Sequence, residues 1–124
     1  MSKKKVTLPD LIKKAEKLFN KYIRERDLGL NCISCDRPIK PLQAGHYYAV
    51  KVSSMRFDEL NVHGECAGCN GFDIDHLIGY RKGLVKRYGE DYVKVLDIKF
   101  DYYKKNGFKW ERDYLQQIID KYKC

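Results

Sequence analysis

The sequence predicts an α+β fold: a short β-hairpin and a helix stapled together at the centre, wrapped by helices from both ends. Three observations point to it. Two Cys-x-x-Cys pairs, Cys32-Ile33-Ser34-Cys35 and Cys66-Ala67-Gly68-Cys69, are separated by a spacer of 30 residues. Within that spacer, 44–52 is apolar and aromatic enough for a strand, and 60–63 is a short candidate for its return. On both sides of the pairs, apolar residues recur at helical spacing.

The cysteine pairs come first because they set the rest. Two Cys-x-x-Cys pairs are the sequence form of a four-thiolate zinc site, each pair making a knuckle that presents two sulfurs. Cys32, Cys35, Cys66 and Cys69 are therefore assigned to a structural Zn²⁺. A disulfide framework is the competing explanation, but the chain has five cysteines, an odd number, and the paired spacing is that of metal ligands. Cys124 is left over as a free thiol.

The helices follow in order. After a basic arm at Lys3–Lys5, Thr7 is suited to cap a helix whose first turn holds Pro9 and Asp10. Leu8, Leu11, Ile12, Ala15, Leu18, Phe19, Tyr22 and Ile23 form its apolar face, and it ends near Gly29. Its other face carries Lys13, Lys14, Lys17, Lys21 and Arg24; solvation explains these charges, and so does contact with DNA. Arg37-Pro38 marks a turn after the first knuckle, and Ser53-Ser54 a loop. Asp73 and Asp75 are suited to start the next helix, marked by Leu77, Ile78, Leu84, Val85 and Tyr88 and ended by Gly89; Gly79 and Gly83 count against it. A further helix spans 90–104, Asn106-Gly107 breaks the pattern, and 110–122 is the last helix, with Tyr114, Leu115, Ile118 and Ile119 on its apolar side.

At 124 residues one domain is expected, with an N-terminal helix in 1–29, the zinc-bound core in 30–89 and C-terminal helices in 90–124. The formal net charge of +8 suggests a polyanionic partner, nucleic acid or an acidic membrane surface. No apolar run is long enough to span a bilayer, and no apolar stretch follows the basic start, so neither a membrane span nor a secretory signal is expected.

A histidine near the start of a strand, a returning strand and an Asn at the start of a helix suit phosphodiester hydrolysis. That reaction needs a base for water and a divalent cation for the phosphate and leaving oxygen. His46 is the candidate base, since neutral imidazole is available near pH 7; a structural strand histidine is the alternative. Gly45 would let a phosphate approach the backbone. Asn70, held against the second knuckle, is the first choice for a Mg²⁺ or Mn²⁺ ion, unless it caps the next helix; His76, Asp73 and Asp75 are second choices. Asn61 is assigned to the catalytic hairpin, more as its hydrogen-bonded support than as a metal ligand. His63 is given a structural role ahead of a catalytic one. Arg81, Lys82, Lys86 and Arg87 could run along a phosphate backbone, although a solvated face fits the spacing equally well. The ten tyrosines fall mostly at core-like helical positions and are not read as base-stacking platforms.

These pieces resemble, in order, the phage NinG (Rap) family of recombination endonucleases: 23–27, Cys32–Cys35, Ala44-Gly45-His46-Tyr47, Arg56-Phe57, Asn61-Val62-His63, Cys66 to Asn70, and Tyr80 to Arg87. The resemblance implies a ββα-metal (HNH-like) fold and cleavage of branched recombination intermediates such as Holliday junctions or D-loops. Asn70, directly after the second knuckle, is similar to the cation-binding Asn of phage endonuclease VII. The chain departs from its relatives at two positions. Endonuclease VII-like enzymes carry Asp directly before the His, where this chain has Gly45. The non-specific ββα-metal nucleases carry Asp-x-Gly-His, where it has Gln43.

The expected function is therefore a divalent-metal-dependent endodeoxyribonuclease with structural Zn²⁺ and catalytic Mg²⁺ or Mn²⁺. Its expected partner is DNA, with branched structures favoured, and its expected setting is the cytoplasm of the host cell. A homodimer stays open. The alternative is a non-catalytic zinc module that binds nucleic acid; a protein-interaction adaptor is a weaker third.

Overall fold

The first helix, α1 (Leu8–Arg26), starts where the sequence requires. Thr7 Oγ1 accepts the Asp10 amide at 3.3 Å, and Pro9 sits in the first turn. The computed structural model describes residues 6–71 and 76–123. Lys3–Lys5, Asp73, Asp75 and Cys124 lie outside the described residues.

Among the described residues the fold is α+β, with four α-helices and one two-stranded sheet. Strands β1 (Gln43–His46) and β2 (Val62–Glu65) pair antiparallel, with Gln43 opposite Glu65, Gly45 opposite His63 and His46 opposite Val62. Helices α2 (His76–Tyr88), α3 (Glu90–Asn106) and α4 (Arg112–Tyr122) follow. No described helix is long and apolar enough to cross a membrane.

The hairpin is a partition between two apolar cores. On one side α1 and α4 pack through Ala15, Phe19, Ile23, Leu115, Ile118 and Ile119, with Val62 and Phe57 reaching in. Phe19 meets Tyr122 edge-on at 5.2 Å. On the other side Tyr80 and Leu84 of α2 pack with Val93 and Leu96 of α3, closed by Ile33 and Met55. Strand alternation assigns each residue its side: Val62 joins the first core, while His63 meets Tyr80 and Tyr92 of the second. The end of α1 ties the layers together. Arg26 donates to the carbonyls of Glu59 and Val62 and grips both oxygens of buried Asp27, which in turn accepts the Gly64 amide at 2.7 Å.

Three expectations are corrected. First, β1 stops at His46 instead of running to Val52. Beyond Tyr47 the side chain of Asn61 replaces a partner strand: its oxygen accepts the Tyr48 amide at 2.8 Å, and its amide donates to the Tyr48 and Met55 carbonyls, both at 3.0 Å. The chain can then turn away, and Ser53–Met55 forms a single 3₁₀ turn. Second, β2 begins at Val62 and not at Leu60. Asp58 accepts the Leu60 amide on its carboxylate and the Asn61 amide on its carbonyl, which keeps both residues in a turn. Third, Gly79 and Gly83 do not weaken α2. They let its backbone lie on the first knuckle, where a Cβ at 83 would stand 1.8 Å from the Ile33 carbonyl oxygen and one at 79 would stand 2.6 Å from that of Ser34.

Candidate metal centre and active-site cleft

The first knuckle closes through its own backbone: the Asp36 amide donates to the Cys32 carbonyl at 2.9 Å, and the Cys32 amide to the Arg37 carbonyl at 3.0 Å. The second does the same through the Cys69 and Asn70 amides, both donating to the Cys66 carbonyl. The four sulfurs all lie within 4.8 Å of one another, so the cluster could hold a metal ion. Cys35 and Cys66 sulfurs are 3.9 Å apart. That is close to the edge of about 3.8 Å expected for four sulfurs about 2.3 Å from a tetrahedral zinc. It is far from the about 2.05 Å of a disulfide. The Cys66 amide also points at the Cys32 sulfur at 3.3 Å, the kind of contact that favours a thiolate.

Beside this centre lies a cleft of about 590 Å³ between α1 and the hairpin. Glu16, Asn20 and Arg24 line it from one stripe of α1 at a spacing of four; Gln43, Ala44 and His46 line it from β1; Asn70 and His76 close it from the second knuckle and the first residue of α2. His46 is 7 % exposed, and its Nε2 lies 2.9 Å from the Arg56 carbonyl. A carbonyl only accepts, so the Arg56 contact favours the tautomer with its proton on Nε2. Burial pushes the His46 pKa below the usual histidine value, and the hydrogen bond to Arg56 opposes it less strongly. The imidazole is thus neutral at neutral pH. Arg56 is itself fixed by a 2.6 Å ion pair to Glu16.

Asn70 donates its amide to Gln43 Oε1 at 2.8 Å, which turns its own oxygen toward the role of acceptor. His76 Nδ1 stands 2.6 Å from Oε2 of Glu65, a fully buried carboxylate on β2. Ser34 donates its hydroxyl to the same oxygen. Burial raises the pKa of Glu65, while Ser34 and His76 pull it back. The expectation that Gly45 admits a phosphate is corrected: a Cβ there would lie 2.2 Å from Glu65 Oε1, so the space is filled by that side chain.

The remaining candidates among the described residues lie outside the cleft. Asn61 is fully buried and spends its side chain on the β1–β2 connection described above. His63 has both ring nitrogens engaged, by Tyr80 at 3.3 Å and Tyr92 at 3.2 Å, and burial lowers its pKa to about 4. On α2, Lys86 pairs with Asp36 at 2.7 Å and Arg87 donates to the Asn31 carbonyl at 2.6 Å, both extending the seam with the first knuckle. Arg81 and Lys82 are exposed.

Residues 2–124 match the family described as "Bacteriophage Lambda NinG protein". The chain belongs to the NinG family. It is 34% identical over 113 residues to protein NinG of Escherichia phage 933W, covering 90% of this chain and 54% of that protein. Against protein NinG of Escherichia phage lambda it is 38% identical over 88 residues, covering 69% and 43%, and against that of Salmonella phage P22 41% over 80 residues, covering 63% and 39%. The chain thus spans about half the length, or less, of these NinG relatives. No solved structure matches it.

Sequence reasoning missed Glu65 and, on the α1 stripe, Glu16 and Asn20; Gln43 entered it only as a departure from related nucleases, and Arg24 only as part of the charged face of α1. The stripe had a signal, polar residues at 16, 20 and 24 on a helix whose opposite face is apolar. Glu65 had a fainter one: a carboxylate in a strand otherwise buried, diagonally across from a glycine.

Proposed function

We propose that this chain holds the catalytic centre of a divalent-metal-dependent DNA endonuclease, built on a zinc-stapled ββα-metal (HNH-like) core. One observation carries the reading. His46 is buried, has its pKa lowered by that burial, is held by the Arg56 carbonyl, and lines the cleft that Asn70 and His76 also line.

In this reading Zn²⁺ occupies the four cysteines and fixes the second knuckle, and so the backbone of Asn70. A divalent cation in the cleft supplies charge stabilisation to the phosphate and the departing oxygen. The Asn70 side-chain oxygen and His76 are the residues that would hold it, and Gln43 keeps the Asn70 amide turned. His46 takes a proton from the attacking water on Nδ1 while the Arg56 carbonyl retains the Nε2 proton. Glu16 holds Arg56, and with it the carbonyl, in place. The basic surface nearest this chemistry is α1. Lys13, Lys17 and Arg24 are exposed and fall with Asn20 on one helical stripe, and Asn20 and Arg24 border the cleft. Phosphates would follow that stripe more readily than α2, where Lys86 and Arg87 already serve the knuckle. Preference for branched recombination intermediates is part of the proposal and rests on the resemblance to the recombination endonucleases.

The test is cleavage of branched, linear and single-stranded DNA by the purified chain with Mg²⁺ or Mn²⁺. Cation-dependent cleavage that His46→Ala abolishes supports the reading. Absence of cleavage of every substrate with either cation replaces it with the non-catalytic zinc-stabilised nucleic-acid-binding module.

A further inference from the structure

Two buried carboxylates flank the hairpin, and they are satisfied very differently. Asp27 has Arg26 on both oxygens and the Gly64 amide besides. Glu65 is fully buried, yet among the described residues its Oε1 has no hydrogen-bond partner. Oε2 receives the Ser34 hydroxyl. His76 Nδ1 is 2.6 Å from Oε2 but out of line for a hydrogen bond, and it too is buried without a partner. Oε1 has given up water with no partner in return, and the His76 nitrogen has only its misaligned contact with Oε2, so the pair is costly to bury as it stands. A positive ion between them removes both deficits.

From this juxtaposition we infer that Glu65 and His76 form a divalent-cation site directly behind the cleft that His76 lines, with buried Glu65 as its anionic ligand. The position of the carboxylate explains Gly45. A side chain at 45 would occupy the space that Glu65 Oε1 fills from the opposite strand, 2.2 Å from where a Cβ would stand. The carboxylate that this chain lacks directly before His46 is thereby delivered from β2. Ser34 holds one oxygen from the first knuckle, so the zinc centre and the cation site share a support. Asn70 and His76 line one cleft, so the site opens to solvent on the side that Asn70 shares. The ligand set also selects the ion. Mg²⁺ prefers oxygen ligands and retained water, whereas Mn²⁺ accepts imidazole, so Mn²⁺ binds more tightly here than Mg²⁺. The inference deepens the nuclease reading and rests on it only for what the ion does.

The experiment is a titration of Mn²⁺ into the zinc-loaded chain without DNA, with free Mn²⁺ read by electron paramagnetic resonance. One bound Mn²⁺ per chain is expected, displaced by Mg²⁺ only at large excess. Glu65→Gln keeps the shape and a hydrogen-bonding oxygen but loses the charge, and should weaken Mn²⁺ by at least the roughly 10- to 100-fold that loss of an outer-shell partner costs, at unchanged zinc content. His76→Ala, at the first turn of α2, should do the same and decides the point if Glu65→Gln does not fold. Wild type that binds no Mn²⁺, or either folded variant binding it as tightly as wild type, overturns the site. Tight, Glu65-dependent Mn²⁺ binding by a chain that cleaves no DNA keeps the site and removes the nuclease reading. Cleavage with Mn²⁺ affinity unmoved by Glu65→Gln does the reverse.

Discussion

Each strand of the hairpin carries one buried histidine, and the two have opposite fates. His63 points into the α2–α3 side, where tyrosine hydroxyls engage both of its nitrogens. His46 points to the α1 side, where one nitrogen is held by the Arg56 carbonyl and the residue lines an open cleft. Burial depresses both pKa values. Burial and titration therefore do not tell a reactive histidine from a structural one. What each ring borders does, a cleft or a pair of tyrosines, and it follows from which face of a two-stranded ribbon each residue occupies.

Removing each histidine in turn separates the two fates. Loss of a positioned base costs roughly 10²–10⁴-fold in rate. His46→Ala is expected to fall by that much in single-turnover cleavage, with zinc content unchanged, while folded His63→Gln keeps its rate and loses stability. Because the His46 pKa is depressed, the acid limb of wild-type cleavage should lie below pH 6.5, the ordinary histidine value. A wild-type rate in His46→Ala would mean the base is elsewhere.

Next in size is the seam that holds the α2 side together. Gly83→Ala places a methyl against the Ile33 carbonyl oxygen, which is backbone and cannot swing away. Overpacking of this kind costs about 3 kcal/mol at the upper end. Denaturant unfolding should show that loss together with weaker zinc retention, because Ile33 lies between two of the cysteines. Unchanged stability and zinc affinity would mean that α2 does not brace the knuckle.

The His63 side also has a pH signature. Its pKa is near 4 when folded and near 6.5 when unfolded, so below pH 6.5 the unfolded chain binds a proton that the native chain refuses. Stability is whole above pH 6.5 and is lost as pH falls toward 4. Between pH 7 and pH 5 this amounts to about 2 kcal/mol. The loss should shrink by that amount in His63→Gln when both proteins are unfolded in urea with zinc present. Parallel profiles for the two proteins would show that His63 does not carry the proton linkage.

How much of this was legible in the sequence follows the same division. Short-range signals were readable: the knuckles from Cys-x-x-Cys, α1 from Thr7 and its apolar period, α3 and α4 from theirs. Long-range substitution was not. Nothing local to Tyr47–Val52 says that an asparagine thirteen residues beyond Tyr48 will take the place of a strand and end β1 early. Gly79 and Gly83 looked like helix weakeners because their reason lies in another segment's carbonyls. Glu65 lay beyond the strand expected at 60–63 and drew no reading, because its partners, Ser34 and His76, come from two other elements.

The smallest effect concerns where nucleic acid lies, and it decides whether the α1 side is the whole working face. Each phosphate contact contributes about 0.9 to the slope of log affinity against log salt on duplex DNA. Removing Lys13, Lys17 and Arg24 together by alanine substitution should flatten that slope by about 2 to 3 if all three meet phosphates. Substituting Arg81 and Lys82 on α2 should leave it unchanged. Lys86 is less informative, because losing its exposed pair with Asp36 can blur a binding measurement. Affinities of a catalytically silent His46→Ala background, measured without divalent cation at several salt concentrations, separate the two helices. A slope flattened by the α2 pair and not by the α1 triple would carry the phosphate track across the hairpin. The cleft would then be approached from the zinc side.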